Sequence, residues 1–231
     1  MSADLDRLLA EVGAVLLDFD GPVCSVFTGY PAPQVAAELV NMLHRRGIEL
    51  PPDLVSEPDP LEVLRHIGAV GDHGITRAVE DALCAAERQA VESAEPTPYG
   101  REVIVAARQA GMSVAVVSNN SAGAVSAYLT AHRLAGYISP VVGRAYADPA
   151  CMKPNPGPIL QAVYAVGEPP SRCVLVGDSL TDIDGARAAG VRVIGYANRP
   201  AKVERFRAAG ADVVVTSMRK IADVLVERMD A

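Results

Sequence analysis

Tryptophan is absent from this chain of 231 residues, and phenylalanine and tyrosine together make up only 4% of it. A core must therefore be assembled from Ala, Val, Leu and Ile, which the 50% apolar content can supply. Aromatic platforms are scarce and the formal net charge is −7. Nucleic acid is thus not an expected partner, because phosphate backbones are met by basic faces and stacked aromatics. A small anionic ligand is not excluded, since a local electropositive pocket can sit on an acidic protein. The four cysteines, Cys24, Cys84, Cys151 and Cys173, form no CxxC pair and no other zinc-like spacing, which predicts free thiols in a reducing compartment. No run approaches the ~18 consecutive apolar residues of a membrane span. The opening stretch MSADLDRLLAEVG carries acids where a secretory leader carries bases. A soluble, cytoplasmic chain without a membrane partner is the expectation, with monomer and homodimer both open.

What is present alternates. Short apolar, β-branched runs occur at 14–19, 113–117, 173–176, 191–196 and 211–215, with a weaker one at 138–142. Near-continuous apolar runs are expected of parallel strands buried on both faces. Ala-rich helical segments at 99–110, 122–134, 156–166, 180–189 and 200–209 lie between them. Strand alternating with helix predicts an α/β fold, a doubly wound, Rossmann-like parallel sheet. From about Pro22 to Pro98 no strand pattern appears; helical stretches at 33–46, 60–67 and 76–93 are separated by Pro- and Gly-containing joints. A segment this long is too large for a loop. It predicts a small α-helical domain, residues 22–98, inserted into a core made of residues 1–21 and 99–231.

Four segments at strand ends carry candidate chemistry. Asp18 and Asp20, in DFDG, stand two residues apart and point to one side of a strand end while Phe19 faces the other. Adjacent carboxylates are costly unless a cation or a shared proton relieves them, although DG is also ordinary turn chemistry. Ser118 and Asn119 end the second core strand and open a helix, either as a phosphate seat or as a plain N-cap. Lys153, one of three lysines in the chain, precedes a proline-rich helix start. Asp178 and Asp182 close a third strand with GDSLTD; Asp178 suits a metal at the strand end and Asp182 a metal-bound water or a helix N-terminus.

In this order the segments resemble the four signature motifs of the haloacid dehalogenase-like hydrolase superfamily: DFDGPV, VVSNN, KP and GDSLTD. The resemblance runs through the core from Asp18 to Asp182, and is nearest to the capped phosphoglycolate-phosphatase-like and β-phosphoglucomutase-like branch. It implies a Mg²⁺-dependent phosphatase acting on a small phosphorylated metabolite, with the helical insert as its cap. It further implies that Asp18 is the nucleophile and forms an aspartyl-phosphate, that Asp20 is the general acid and then base, and that Lys153 offsets charge. Ser118 and the Asn119 N–H would grip phosphoryl oxygens. Asp18, the Asp20 carbonyl and Asp178 would hold Mg²⁺, with Asp182 in support. Acid catalysis by Asp20 asks for a raised pKa, because an ordinary Asp is protonated only about once in a thousand at pH 7.

One departure from the family pattern is local: the first motif runs on as GPVCSVFTGYP, placing Tyr30 and prolines at the entry to the cap. Candidate specificity residues in the cap are Tyr30, His44, Arg45, Arg46, Arg65 and His66. Two alternatives stand beside the phosphatase: a phosphomutase, which returns the phosphoryl group to the sugar, and a catalytically silent binding module, against which the complete set of acids argues.

Overall fold

The computed structural model describes residues 2–228. Its strands are β1 (Ala14–Leu17), β2 (Cys24–Ser25), β3 (Glu95–Pro96), β4 (Ser113–Val117), β5 (Val141–Val142), β6 (Cys173–Gly177), β7 (Arg192–Tyr196) and β8 (Val213–Val215). The helices are α1 (Ser2–Glu11), α2 (Ala32–Arg45), α3 (Pro52–Val55), α4 (Pro60–Val70), α5 (His73–Ala90) and α6 (Gly100–Gln109). They continue with α7 (Ala122–Ala131), α8 (Gly157–Val166), α9 (Leu180–Ala188), α10 (Lys202–Ala208) and α11 (Arg219–Glu227).

Six strands form a parallel sheet in the order β5-β4-β1-β6-β7-β8. Alternate residues of the central strands feed two separate apolar layers. Val15, Leu17, Val114, Val116, Val174 and Val176 pack with α1, α6, α7 and α11. Ala14, Leu16, Ala115, Val117, Cys173 and Leu175 pack with α8, α9 and α10 on the opposite face. The period of two along a strand makes this division, and because both faces are covered the runs read as wholly apolar. The doubly wound α/β fold is therefore as expected.

The chain winds one way from β1 through β4 to β5, then returns to the other side of β1 for β6, β7 and β8. A reversal of this kind opens a crevice at the carboxyl ends of the central strands. Register puts those ends side by side: Leu17 stands opposite Val116 on one flank and Val176 on the other. Asp18 extends the ladder by one step, its N–H donating to the Val176 carbonyl at 2.9 Å.

Helices α2–α5 have an apolar cluster of their own, built on Leu39, Leu43, Leu64, Val79 and Leu83. Phe27 and Tyr30 pack against both this cluster and the core. The last part of α5 runs into the core layer, where Ala90 is buried. Within 22–98, where no strand was expected, β2 and β3 form a two-residue antiparallel pair at the neck. The strand expected at 138–142 is trimmed to Val141–Val142, since Pro140 has no N–H to give a ladder. Two helices, α1 and α11, were not anticipated, nor was the short α3.

Candidate active site

β1, β4 and β6 deliver Asp18, Ser118 and Asp178 to one crevice, and the loop before α8 brings Lys153 beneath them. The Lys153 side chain is buried, with three acceptors for its three N–H groups. They are Asp182 Oδ1 at 2.6 Å, the Val117 carbonyl at 2.8 Å and Asp18 Oδ1 at 3.0 Å. Burial works against the ammonium, but Asp18 and Asp182 outweigh it and hold its pKa above the ordinary value. For Asp18, burial is the largest influence and pushes the carboxyl well up; Asp182 adds to this, Lys153 pulls back, and Asp178 adds again.

Asp20 lies beside this group. Its Oδ1 accepts the Val26 N–H at 2.9 Å. Burial raises its pKa to about 6, the Val26 N–H opposes the rise, and Asp178 reinforces it. At that value roughly a tenth of the groups carry a proton at pH 7. Gly21 follows with φ +107°, and a β-carbon there would sit 2.4 Å from Asp178 Cγ. Only glycine serves both the turn and the close approach.

Asp178 Oδ2 accepts from Lys202 Nζ at 2.7 Å and from Asn198 Nδ2 at 2.9 Å. Burial raises the Asp178 pKa, and the Lys202 contact offsets part of the rise. Lys202 and Asn198 carried no signal in the sequence, because they reach the site from the far end of β7 and the start of α10.

Asp182 is fully buried and committed. Its Oδ2 accepts from Ser179 Oγ at 2.6 Å and from the Ser179 N–H at 3.0 Å, while Ser179 Oγ accepts the Asp182 N–H. This reciprocal capping box starts α9. The other oxygen is the one on Lys153. Asp182 therefore combines the helix-terminus role with the anchoring of a site lysine.

The turn between β4 and α7 differs from expectation. Asn119 does not open the helix; Ser121 is the N-cap of α7, leaving residues 118–121 as a turn of their own. The Asn119 side chain faces the Lys153 backbone, accepting its N–H at 2.9 Å and donating to its carbonyl at 3.2 Å. That leaves the main-chain N–H of Asn119, rather than its amide, for an anion. Ser118 Oγ accepts the Asn120 N–H at 3.1 Å.

Asp18, Asp20, Ser118, Asn119, Lys153 and Asp178 line a cleft of about 510 Å³, bounded on the helical side by Phe27, Pro33, Asp59, Leu61, Glu62 and Arg65. Of the six cap candidates, Arg65 lines this cleft. Its Nη2 donates to the Lys153 carbonyl at 2.6 Å and its Nε lies 3.1 Å from Glu62. Tyr30 instead donates to Glu38, midway along α2. His44 and Arg45 occupy the last turn of α2. Arg46 follows as its C-cap, and His66 lines smaller hollows outside the cleft.

Asp18, Asp178 and Asp182 each offer a carboxylate oxygen within 4.8 Å of the others. Hard oxygen donors, with raised pKa values on Asp18 and Asp178, fit a small divalent cation such as Mg²⁺. Among the described residues no helix is long and apolar enough to cross a membrane.

An acidic site at the switch point of a doubly wound sheet, overlaid by a helical insertion, defines a class of α/β proteins. Within that class, this chain belongs to the haloacid dehalogenase-like hydrolase family, whose model matches residues 12–190. A phosphoglycolate phosphatase of Caulobacter vibrioides is 37% identical over 134 residues, which is 56% of this chain and 53% of that protein. The chain thus spans about half the length of the curated relatives it matches. CbbY from Rhodobacter sphaeroides, solved in complex with phosphate, superposes with a TM-score of 0.66 at 20% identity, covering 90% of this chain and 95% of that one. A haloacid dehalogenase-like family protein from Streptococcus pneumoniae superposes at 0.64 with 12% identity, covering 93% and 98%. At such identities the likeness is one of fold.

Proposed function

We propose that this chain is a Mg²⁺-dependent phosphatase that hydrolyses a small phosphorylated metabolite through an aspartyl-phosphate on Asp18. The observation that carries the reading is the meeting of Asp18, Ser118, Lys153 and Asp178 in one crevice, with a carboxyl of pKa about 6, Asp20, beside them. In this reading residues 22–98 act as a cap, with the β2–β3 pair as its neck.

A carboxylate oxygen of Asp18 attacks phosphorus while the bond to the leaving oxygen breaks, and protonated Asp20 gives its proton to that oxygen. Asp20, now a carboxylate, takes a proton from water; the water oxygen attacks the phosphorus of the aspartyl-phosphate, freeing phosphate and restoring Asp18. Lys153 stays ionised between Asp18 and Asp182 and screens the charge that gathers on the phosphoryl group. The Ser118 hydroxyl, turned from the Asn120 amide oxygen, and the Asn119 N–H hold phosphoryl oxygens. Asp18, the Asp20 carbonyl and Asp178 would hold Mg²⁺, which when bound supplies positive charge to the phosphoryl oxygens. Asp182 supports this arrangement through Lys153 and Ser179.

The name of the Caulobacter relative makes phosphoglycolate the first substrate to try, with Arg65 as a cation near the leaving group. Phosphate release from a panel of phosphorylated acids, sugars and alcohols, with Mg²⁺ or with EDTA, tests the reading. Release that needs Mg²⁺ supports it. Turnover that needs a bisphosphate would replace it with a phosphomutase, and a folded protein inert to the whole panel would leave a binding module.

A further inference from the structure

Away from the proposed reacting groups lies a second set of buried charges. Arg144 follows β5, and Glu80 and Glu87 lie about two turns apart on α5; the side chains of all three are at most 1% exposed. The guanidinium meets Glu80 through Nε at 3.0 Å and Nη2 at 2.8 Å, and Glu87 through Nη1 at 2.8 Å. Buried ion pairs seldom stabilise a fold more than well-packed apolar residues would, so the location of these three asks for a reason.

Their remaining bonds supply one. Arg144 Nη1 donates to the Asn119 carbonyl at 2.6 Å, and the Arg144 N–H donates to the Asn120 carbonyl at 2.9 Å. Glu87 accepts the Ser121 N–H at 2.9 Å and the Asn120 side-chain amide at 3.2 Å. The Asn120 amide oxygen in turn accepts from Ser118 Oγ at 3.2 Å. The Asn119 and Asn120 carbonyls and the Ser121 N–H thus all bond to this cluster, while the Asn120 N–H goes to Ser118 Oγ. With the Asn119 and Asn120 carbonyls tied to Arg144, neither can rotate into the cleft, where its lone pairs would repel a phosphate oxygen.

We propose that Arg144 and Glu87 are positioning residues that hold the 118–121 turn in the form that grips phosphate. The inference rests on the phosphatase reading. Glu80 anchors Arg144 through Nε and Nη2, and none of its hydrogen bonds goes to the turn. The planar guanidinium matters because it reaches two carboxylates and a carbonyl at once, which a lysine ammonium on a flexible stem cannot do in that geometry.

The test compares the parent chain, Glu87→Gln, Arg144→Lys and Glu80→Gln, each kept well below its own melting midpoint. The readouts are inhibition by inorganic phosphate, and kcat and KM, with p-nitrophenyl phosphate and Mg²⁺. In Glu87→Gln an amide replaces one acceptor, so the Ser121 N–H or the Asn120 amide loses its partner while shape is kept. Loss of one such charge-assisted bond corresponds to phosphate binding weakened about tenfold, with KM rising in step. Arg144→Lys, which retains the charge, shifts phosphate inhibition the same way and keeps the test decisive if Glu87→Gln fails to fold. Glu80→Gln lowers the melting temperature but leaves phosphate inhibition within about twofold. Folded Glu87→Gln and Arg144→Lys proteins that bind phosphate like the parent would overturn the inference, as would equal losses in Glu80→Gln and Glu87→Gln. A parent chain that neither turns over the ester nor binds phosphate would overturn the phosphatase reading, and this inference with it.

Discussion

Replacing Asp20 with Asn should make the protein more stable while removing its turnover. The Asp20 carboxyl is half-buried near Asp178, and desolvation holds its pKa at about 6 in the fold, against an ordinary 3.8. A raised carboxyl pKa means that the folded state holds the proton more tightly than the unfolded chain. The group therefore favours folding most at low pH, and that advantage is lost as pH rises through 6. Once both states are ionised, the difference amounts to about 3 kcal/mol against the fold. Asn carries no charge, and its Oδ1 still accepts the Val26 N–H, so the substitution should recover most of this penalty. In EDTA at pH 7.5 the gain is about 3 kcal/mol, or ~6–12 °C in melting temperature for a chain of this size; at pH 4 it falls below about 1 kcal/mol. Thermal melts of both proteins at the two pH values read this directly. An Asn variant that melts no higher than the parent at pH 7.5, or one whose gain is the same at pH 4, would refute the argument.

Lys153→Met leaves Asp18 and Asp182 buried without their shared cation, so stability at pH 7.5 should fall by about 3–5 kcal/mol. Chemical denaturation measures it, and a loss under ~1 kcal/mol would count against the triad. Mg²⁺ at a hundred times its dissociation constant should raise parent stability by about 2.7 kcal/mol. Asp178→Asn should abolish most of that rise in a melt with and without the ion. In Gly177→Ala the new β-carbon would lie 2.4 Å from Asp182 Cγ, displacing the partner of Lys153. A loss of about 1–3 kcal/mol, with reduced turnover, is expected from denaturation and rate measurements.

Much of the core was legible because parallel strands buried on both faces leave an unmistakable pattern. CVLVG at 173–177 is one such strand, and both its alternating faces are covered. The same logic exposed Asp18, Ser118 and Asp178, since residues that end neighbouring parallel strands must meet. Outlying helices were harder. α1 and α11 carry helical apolar spacing, as in Leu5, Leu8 and Leu9, but stand outside the strand–helix alternation of the core. The Arg144 cluster joins residues 57 and 64 positions apart, a separation with no local pattern. One signal did exist: Glu80 and Glu87 fall on the face of α5 that carries Val79 and Leu83, and an acid on an apolar face needs a buried partner. Lys202 gave no comparable sign, since a lysine opening a helix near the surface is common.

The most direct measurement follows the fate of the phosphoryl group at Asp18. The parent and Asp18→Asn are mixed with the best substrate of the panel and Mg²⁺, quenched in acid within a turnover, and the peptide containing residue 18 is weighed. An acid-stable phosphoryl adduct on Asp18 is expected in the parent, none in EDTA, and neither adduct nor phosphate release from the Asn variant. Phosphate release that continues in Asp18→Asn, or a phosphoryl group trapped on another residue, would contradict the role given to Asp18.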